Sequence, residues 1–295
     1  MIPLLALPLL VLTIQQSQTP ADWKDVDRAL GRPAGAAGGS VQNDVYRVGF
    51  PRTDLHVRIG TIAVKPALAL GSWVAFQQTS DSTAMLMGDL VLLESEVEPV
   101  IVALRQGGIE QTALHNHLLR ESPHVMYVHI AGRGSRVALA TAVHAALSHT
   151  ATPAAPAQPQ QPVPLGLDTA RIAAIIGAHG KGNGGVYQLS IPRDGAITVD
   201  SVEIPPAMGV ATAINFQSIG AGKAATTGDF VLIASEVSPV IQALRANDIA
   251  ITALHSHMLT ESPRLLFMHF WGEGDALALA RGLRAALDHM NVKRS

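Results

Sequence analysis

The chain has 295 residues, of which 48% are hydrophobic and 15% charged, with a formal net charge of -2. That balance excludes a charged disordered chain, and without a Lys/Arg cluster there is no electrostatic footprint for nucleic acid or an anionic membrane. There is no cysteine, so disulfides, thiol nucleophiles and iron–sulfur clusters are excluded, and a transition metal must be held by His, Asp or Glu.

Residues 2–14 (IPLLALPLLVLTI) are an apolar run too short to cross a bilayer comfortably, followed by polar QQSQTPAD. The run has the character of a secretory h-region, so residues 1–21 are expected to be a signal peptide and the protein secreted or periplasmic, without a stable membrane span. A buried N-terminal strand or helix is the alternative.

The rest of the chain is a duplication. Residues 88–147 open GDLVLLESEVEPVIVALRQGGIEQTALHNHLLRESPHVMYVHIAGRG, and residues 228–287 open GDFVLIASEVSPVIQALRANDIAITALHSHMLTESPRLLFMHFWGEG. These match without a gap, and a looser match reaches VYRVGFPR at Tyr46 and VYQLSIPR at Tyr187. Residues 151–166, ATPAAPAQPQQPVPLG, are rich in Pro, Ala and Gln and are expected to be an extended linker. It separates a first repeat domain at 22–150 from a second at 167–295.

In each copy a short helix (22–30; 168–176) leads through a Gly-rich turn to several strands, including alternating segments at 57–64 and 197–204. GDLVLLE and GDFVLIA are buried strands opened by a Gly-Asp turn. Pro99 and Pro239 are each expected to start a helix, because proline suits the first helical position. These helices end at Gly107 and Asn247. IEQTALHNHLL and VMYVHIAG follow as two strands joined by a turn at Arg120 to Pro123. Ser135 and Asp275 then cap alanine-rich helices ending near Leu147 and Leu287. The expected fold class is α+β: two homologous domains, each with a β-α-β-β-α core plus an N-terminal helix and additional strands.

Alternate residues of a strand share a face, so His115 and His117 point one way, as do His255 and His257. A hairpin centred on Ser122 pairs His115 with His129 and His117 with Tyr127; in the second copy it pairs His255 with His269 and His257 with Phe267. All three histidines of a copy then share one face, with opposed Cβ atoms roughly 4.5–5.5 Å apart, within reach of one ion. Three neutral imidazoles leave a metal an open position, and zinc there lowers the pKa of bound water to about 7, which permits hydrolase or lyase chemistry. The expected cofactor is a divalent transition metal, zinc first, with iron, manganese, copper and nickel also compatible.

Glu121 and Glu261 on the turns, and Glu96 and Glu236 after the buried strand, are candidates for fourth ligand, general base or imidazole-orienting acceptor. Glu96 and Glu236 are the preferred catalytic pair, because sites commonly sit where a strand feeds a loop. Competing readings are a structural polar network of histidines, metal-free imidazole acid–base chemistry, and a purely turn-forming role for Glu121 and Glu261. Of the other histidines, at 56, 124, 144, 149, 179 and 289, His149 and His289 correspond to each other and the remaining four have no counterpart in the opposite copy. GAHGKGNGG at 177–185 lacks P-loop spacing, and Ser122 and Ser262 lie in Ser-Pro turns rather than a nucleophile elbow. Arg52 and Arg193 follow proline in both copies and are either clamps for an anionic substrate or ion-paired groups.

The motif A-L-H-x-H-x-L-x-E-S-P, with M-x-V-H or F-M-H before G-x-G, resembles the LppY/LpqO family of bacterial proteins across most of residues 22–290. The resemblance implies tandem domains of unknown function, often exported or lipid-anchored, and brings no established activity. The N-terminal segment has no lipobox cysteine, so a lipid anchor is not implied. Three functions are compatible with these features: an extracytoplasmic metal-dependent hydrolase or lyase acting on a small molecule, a non-catalytic binder of metal or small ligand, and a duplicated interaction module with structural histidines.

Overall fold

The computed structural model describes residues 22–32, 39–42, 44–154 and 162–293. The signal-like segment at 1–21 and residues 155–161 of the expected linker lie outside the described residues.

In the first half the elements run α1 (Lys24–Ala29), β1 (Ser40–Gln42), β2 (Val45–Pro51), β3 (Arg58–Ile59), β4 (Ile62–Ala63), α2 (Pro66–Ala69) and β5 (Gly71–Gln78). They continue with β6 (Thr83–Leu93), α3 (Glu94–Gln106), β7 (Glu110–His115), β8 (Glu121–Ser122), β9 (Val125–Ser135) and α4 (Arg136–Leu147). The second half repeats the order: α5 (Thr169–Ile176), β10 (Gly180–Asn183), β11 (Val186–Pro192), β12 (Thr198–Val199), β13 (Val202–Glu203) and a 3₁₀ turn (Pro206–Met208). There follow β14 (Ala211–Gly220), β15 (Lys223–Leu232), α6 (Ala234–Arg245), β16 (Ala250–His255), β17 (Glu261–Ser262), β18 (Leu266–Asp275) and α7 (Ala276–Leu287). The fold is therefore a tandem α+β duplication, as its sequence repeat implies.

Each half builds a six-stranded antiparallel sheet, ordered β1-β2-β5-β6-β9-β7 and β10-β11-β14-β15-β18-β16. Strand alternation divides the side chains between two faces. Leu86, Leu90, Leu92, Val128 and Ile130 pack beneath the helices with Val26, Leu104 and Val143. Met85, Met87, Val91, Tyr127 and His129 point the other way, toward the second half. The second sheet repeats this, with Phe230, Leu232, Met268 and Phe270 under its helices.

The two helix-free faces meet, and small three-stranded lobes lock them together. Val57, Ile59, Leu68 and Leu118 around the β4-β3-β8 lobe share a core with Val186, Ala225 and Trp271 of the second half. Reciprocally, Ile197, Ile204, Met208 and Met258 around the β13-β12-β17 lobe pack with Val45, Met85 and Met87. Each half thus removes the other's apolar face from water, which is the main favourable term at this interface.

Three local expectations are corrected. Helices α3 and α6 start before Pro99 and Pro239, which sit in their second turns. The Glu96 carboxylate accepts the Leu93 N–H at 2.8 Å, and Glu236 accepts the Ile233 N–H at 2.9 Å, closing each first turn ahead of the proline. Gly88-Asp89 and Gly228-Asp229 are not turns but mid-strand positions of β6 and β15. A Cβ at Gly88 would lie 2.7 Å from the Trp73 carbonyl oxygen, so the close strand approach requires glycine.

The third correction is register. His115 faces Tyr127 and Ala113 faces His129, two residues from the expected pairing, and His255 likewise faces Phe267. The cause is that Glu121–Ser122 does not turn a tight hairpin but leaves the sheet to pair with β3. A slip of two preserves strand parity, so the histidines keep their common face. The linker ends are also packed rather than loose: Ala151 donates to Glu96, and Leu165 rests on the second core. Among the described residues no helix is long and apolar enough to cross a membrane.

Candidate metal centre

His115 ends β7 and His117 follows it on the extended continuation, while His129 projects from the middle of β9; the second half places His255, His257 and His269 in the same way. Because the helix-free faces meet, the two sets interleave. Ring centroids lie 3.6 Å apart for His115 and His255, 3.7 Å for His117 and His269, and 3.6 Å for His129 and His257. Within one half, His115 and His129 are 4.9 Å apart. The halves are thus closer to each other at this point than each is to itself.

Four groups have ligand atoms that all fall within 4.8 Å of one another. His255, His257 and His269 come from one half. His115, His117 and His269, and likewise His115, His129 and His255, draw on both halves, and Asp89 joins His117 and His129. Histidine clusters able to hold a metal ion are therefore present, and two of the four are completed across the interface.

Asp89 and Asp229 complete the cluster. They stand opposite His129 and His269 in the β6–β9 and β15–β18 ladders, and their carboxylates lie 3.5 Å from His117 Nε2 and 3.2 Å from His257 Nε2. Nδ1 of His269 is 2.9 Å from the Gly228 carbonyl oxygen, which can only accept, so a neutral ring turns an unprotonated Nε2 into the cluster. His257 has the same kind of bond to the Gly209 backbone, and His129 to that of Gly88.

Beyond these bonds the cluster is unsatisfied. Both ring nitrogens of His115 and His255, and Nε2 of His117, His129, His257 and His269, are buried without a hydrogen bond among the described residues. Oδ1 of Asp89 and of Asp229 are in the same condition.

Electrostatics keep the rings neutral. Burial first, and then the neighbouring imidazoles, hold His115, His117, His129 and His257 well below the ordinary histidine range. Burial and His257 bring His255 down to about 3, and burial lowers His269 although Asp229 opposes it. Burial pushes Asp229 up to about 6. Asp89 is pushed well above the carboxylate range by burial and by Asp229, with Arg47 opposing. Neutral imidazole is the ligating form, so these rings need not lose protons to bind a cation near pH 7.

A family model matches this chain twice, over residues 24–149 and 170–289. The chain belongs to the family described as Domain of Unknown Function (DUF1259). A search of curated proteins returns no match. Two solved structures match the DUF1259 chain at low similarity. One is a trimeric bacterial microcompartment shell protein, PduB, at 11% identity, 88% of this chain, 97% of that chain and a TM-score of 0.23. The other is EtuB from Clostridium kluyveri, at 10%, 87%, 92% and 0.20. At those TM-scores the likeness carries no argument.

The structure does not bring Glu96 and Glu236 to the DUF1259 histidines. Arg52 grips Glu96 with two bonds of 2.7 and 3.1 Å, and Arg193 grips Glu236 with bonds of 2.6 and 3.0 Å. Backbone amides of Leu93 and Ala151, or Ile233 and Asn291, take the remaining acceptor sites. Burial alone would raise Glu236, but Arg193 and these amides hold it below the usual range. The recurring Pro-Arg pairs are thus buried structural ion pairs, not substrate clamps. Glu121 accepts from Val125 and pairs with His124 at 2.7 Å, while Glu261 accepts from Leu265 and Arg264, as turn-forming residues do.

Sequence reasoning missed Asp89 and Asp229. Their signal was the Gly-Asp repeated at the same place in both copies and read as a turn. In a β-branched and leucine run, a buried carboxylate needs a reason that a turn does not supply.

The cluster opens on a cavity of about 780 Å³ between the halves, reached by His117, His129, His257, His269, Asp89 and Asp229. Arg47 and Trp73 from the first half and Gln188 and Asn215 from the second also line it.

Proposed function

We propose that the two DUF1259 repeats form one shared metal-binding centre that an extracytoplasmic protein uses for hydrolase or lyase chemistry on a small molecule. The observation that carries this is the gathering in one cluster of eight buried imidazole nitrogens without a hydrogen bond, with two aspartate oxygens. Each such group costs about 1–3 kcal/mol if left unmet, and native proteins leave few of them. A structural polar network would have paired them. A metal ion is the partner whose chemistry matches: it accepts lone pairs from neutral rings and ionises the nearby carboxylates.

Zinc is the first candidate and iron, manganese and copper the others, since imidazole suits all of them. When bound, the metal supplies Lewis acidity and an acidified water. Asp229, which lines the cavity with its carboxylate 3.2 Å from His257 Nε2, is placed to accept a proton, the role first assigned to Glu96 and Glu236. The signal-like residues 1–21 and the resemblance to the often exported LppY/LpqO family support the extracytoplasmic reading.

Elemental analysis of protein purified without chelators tests the centre. Stoichiometric metal is expected, lost in the His117→Ala, His257→Ala double variant. Metal-free protein whose stability the double substitution leaves unchanged would make the histidines incidental. Metal without turnover over ester, phosphoester and hydroxy-acid substrates would leave a binding protein.

A further inference from the structure

Arg47 sits on the helix-free face of β2 and lines the cavity beside the cluster. Its guanidinium carbon sits over Trp73, 3.6 Å from the ring centroid, and Nη1 donates to the Ala207 carbonyl at 2.9 Å. Nε and Nη2 make no hydrogen bond with the described residues, although the group is close enough to Asp89 to feel its charge. Burial lowers its pKa to about 10, so it remains a cation at neutral pH.

The second half shows what this position requires structurally. Gln188 is the counterpart of Arg47, and its amide donates at 2.7 Å to the carbonyl of Ala67, the counterpart of Ala207. A neutral side chain therefore suffices for the cross-interface bond. What arginine adds is a positive charge and spare donors in a fork, aimed at a cavity.

Charge accounting points the same way, and here the argument rests on the metal reading. A ligating imidazole carries no charge, so Asp89 and Asp229 provide at most two negative charges among the groups around the cluster. Two divalent ions with Arg47 would leave a net positive site, and even one ion would leave Arg47 uncompensated. In a low-dielectric interior such an excess is costly unless an anion enters with the ion.

We infer that the cavity takes a small oxyanion, a carboxylate or phosphate, with one end in the Arg47 fork and the other at the histidine cluster. Trp73 holds the guanidinium by a cation–π contact, and Lys181, exposed at the cavity edge, adds a second cation. The cavity walls contributed by Asn215, Thr227 and Ser72 suit a polar body rather than an aliphatic one.

The test is calorimetric titration of the metal-loaded full chain with inorganic phosphate, oxalate and neutral acetamide, for wild type, Arg47→Gln and Arg47→Lys. Arg47→Gln copies the natural Gln188 arrangement, so metal content and unfolding midpoint are expected to hold. Oxalate or phosphate should bind wild type, about tenfold or more weaker in Arg47→Gln, with Arg47→Lys between and acetamide silent. Equal anion affinity in wild type and Arg47→Gln, or no anion binding at all by loaded protein, overturns the inference. Metal content is read on the same samples. Arg47-dependent anion binding by a protein that takes up no metal would uphold this inference while removing the metal centre.

Discussion

In the first half the ring stacked on the His-x-His pair is Tyr127, 3.4 Å from His117; in the second it is Phe267, 3.3 Å from His257. The Tyr127 hydroxyl takes the Ala69 carbonyl at 2.9 Å, whereas Phe267 leaves the equivalent Gly209 backbone to His257. One oxygen atom thus decides which histidine has its tautomer fixed. Around it the walls diverge further, with Arg47 against Gln188, Trp73 against Ala213, and Met87 against Thr227. The duplication has kept its ligands and differentiated what surrounds them, so the two ends of the cluster are chemically unequal.

The largest way to sharpen that comparison is acidification of metal-free protein. The unfolded chain protonates its histidines near 6.5, while the folded rings remain neutral to lower pH, so below 6.5 the unfolded state binds more protons. Stability is then lost as pH falls, by up to about 1.4 kcal/mol per pH unit for each buried ring. Asp229 opposes this, since a carboxyl raised to about 6 stabilises when protonated and loses that contribution as pH rises from 3.8 through 6. Histidines outnumber aspartates, so urea midpoints should fall from pH 7 to pH 5. By NMR, His255 should protonate before its counterpart His115, which burial and four neighbouring rings hold lower. A flat pH dependence would show the rings to be solvated.

Arg52 and Arg193 come next. Each anchors a buried glutamate, and Ala at either leaves a carboxylate without its cation, at a cost of about 3–5 kcal/mol. Arg52, fully buried and also bonded to Asp54 at 2.8 Å, should be the costlier loss in chemical unfolding. Equal losses would erase that distinction between the halves.

The tautomer difference predicts a smaller effect, read in metal affinity. Phe267→Tyr gives the second half a hydroxyl that competes for Gly209, and should weaken metal binding by roughly 10–100-fold. Tyr127→Phe should leave binding equal or tighter. Both measured by competition with a chelator, a reversed order would sink the tautomer argument. The smallest expected effect is at the caps: Asp275 accepts the Ala278 N–H at 2.8 Å and Ser135 accepts that of Ala138 at 3.4 Å. Alanine at either should cost about 1 kcal/mol, more for Asp275, as a shift in thermal midpoint.

Much of this was legible in the residues because it depends on strand parity and local chemistry. His115, His117 and His129 share a face in any register that slips by an even number, and Ser135 and Asp275 cap whatever helix follows them. The starts of α3 and α6 turn on local bonds, Leu93 to Glu96 and Ile233 to Glu236, that reading proline as the first helical residue passed over. The arginines more than forty positions away that grip the same glutamates were not legible. For the same reason those glutamates looked available for catalysis.

From the chain alone came the duplication, the α+β pattern and the six histidines on two faces, because period and repetition are written along one dimension. That the two faces press together, pair each ring with one from the opposite half, and draw in Asp89, Asp229 and Arg47 was decided by packing. Burying two apolar sheet faces against each other brings together residues that no local rule connects.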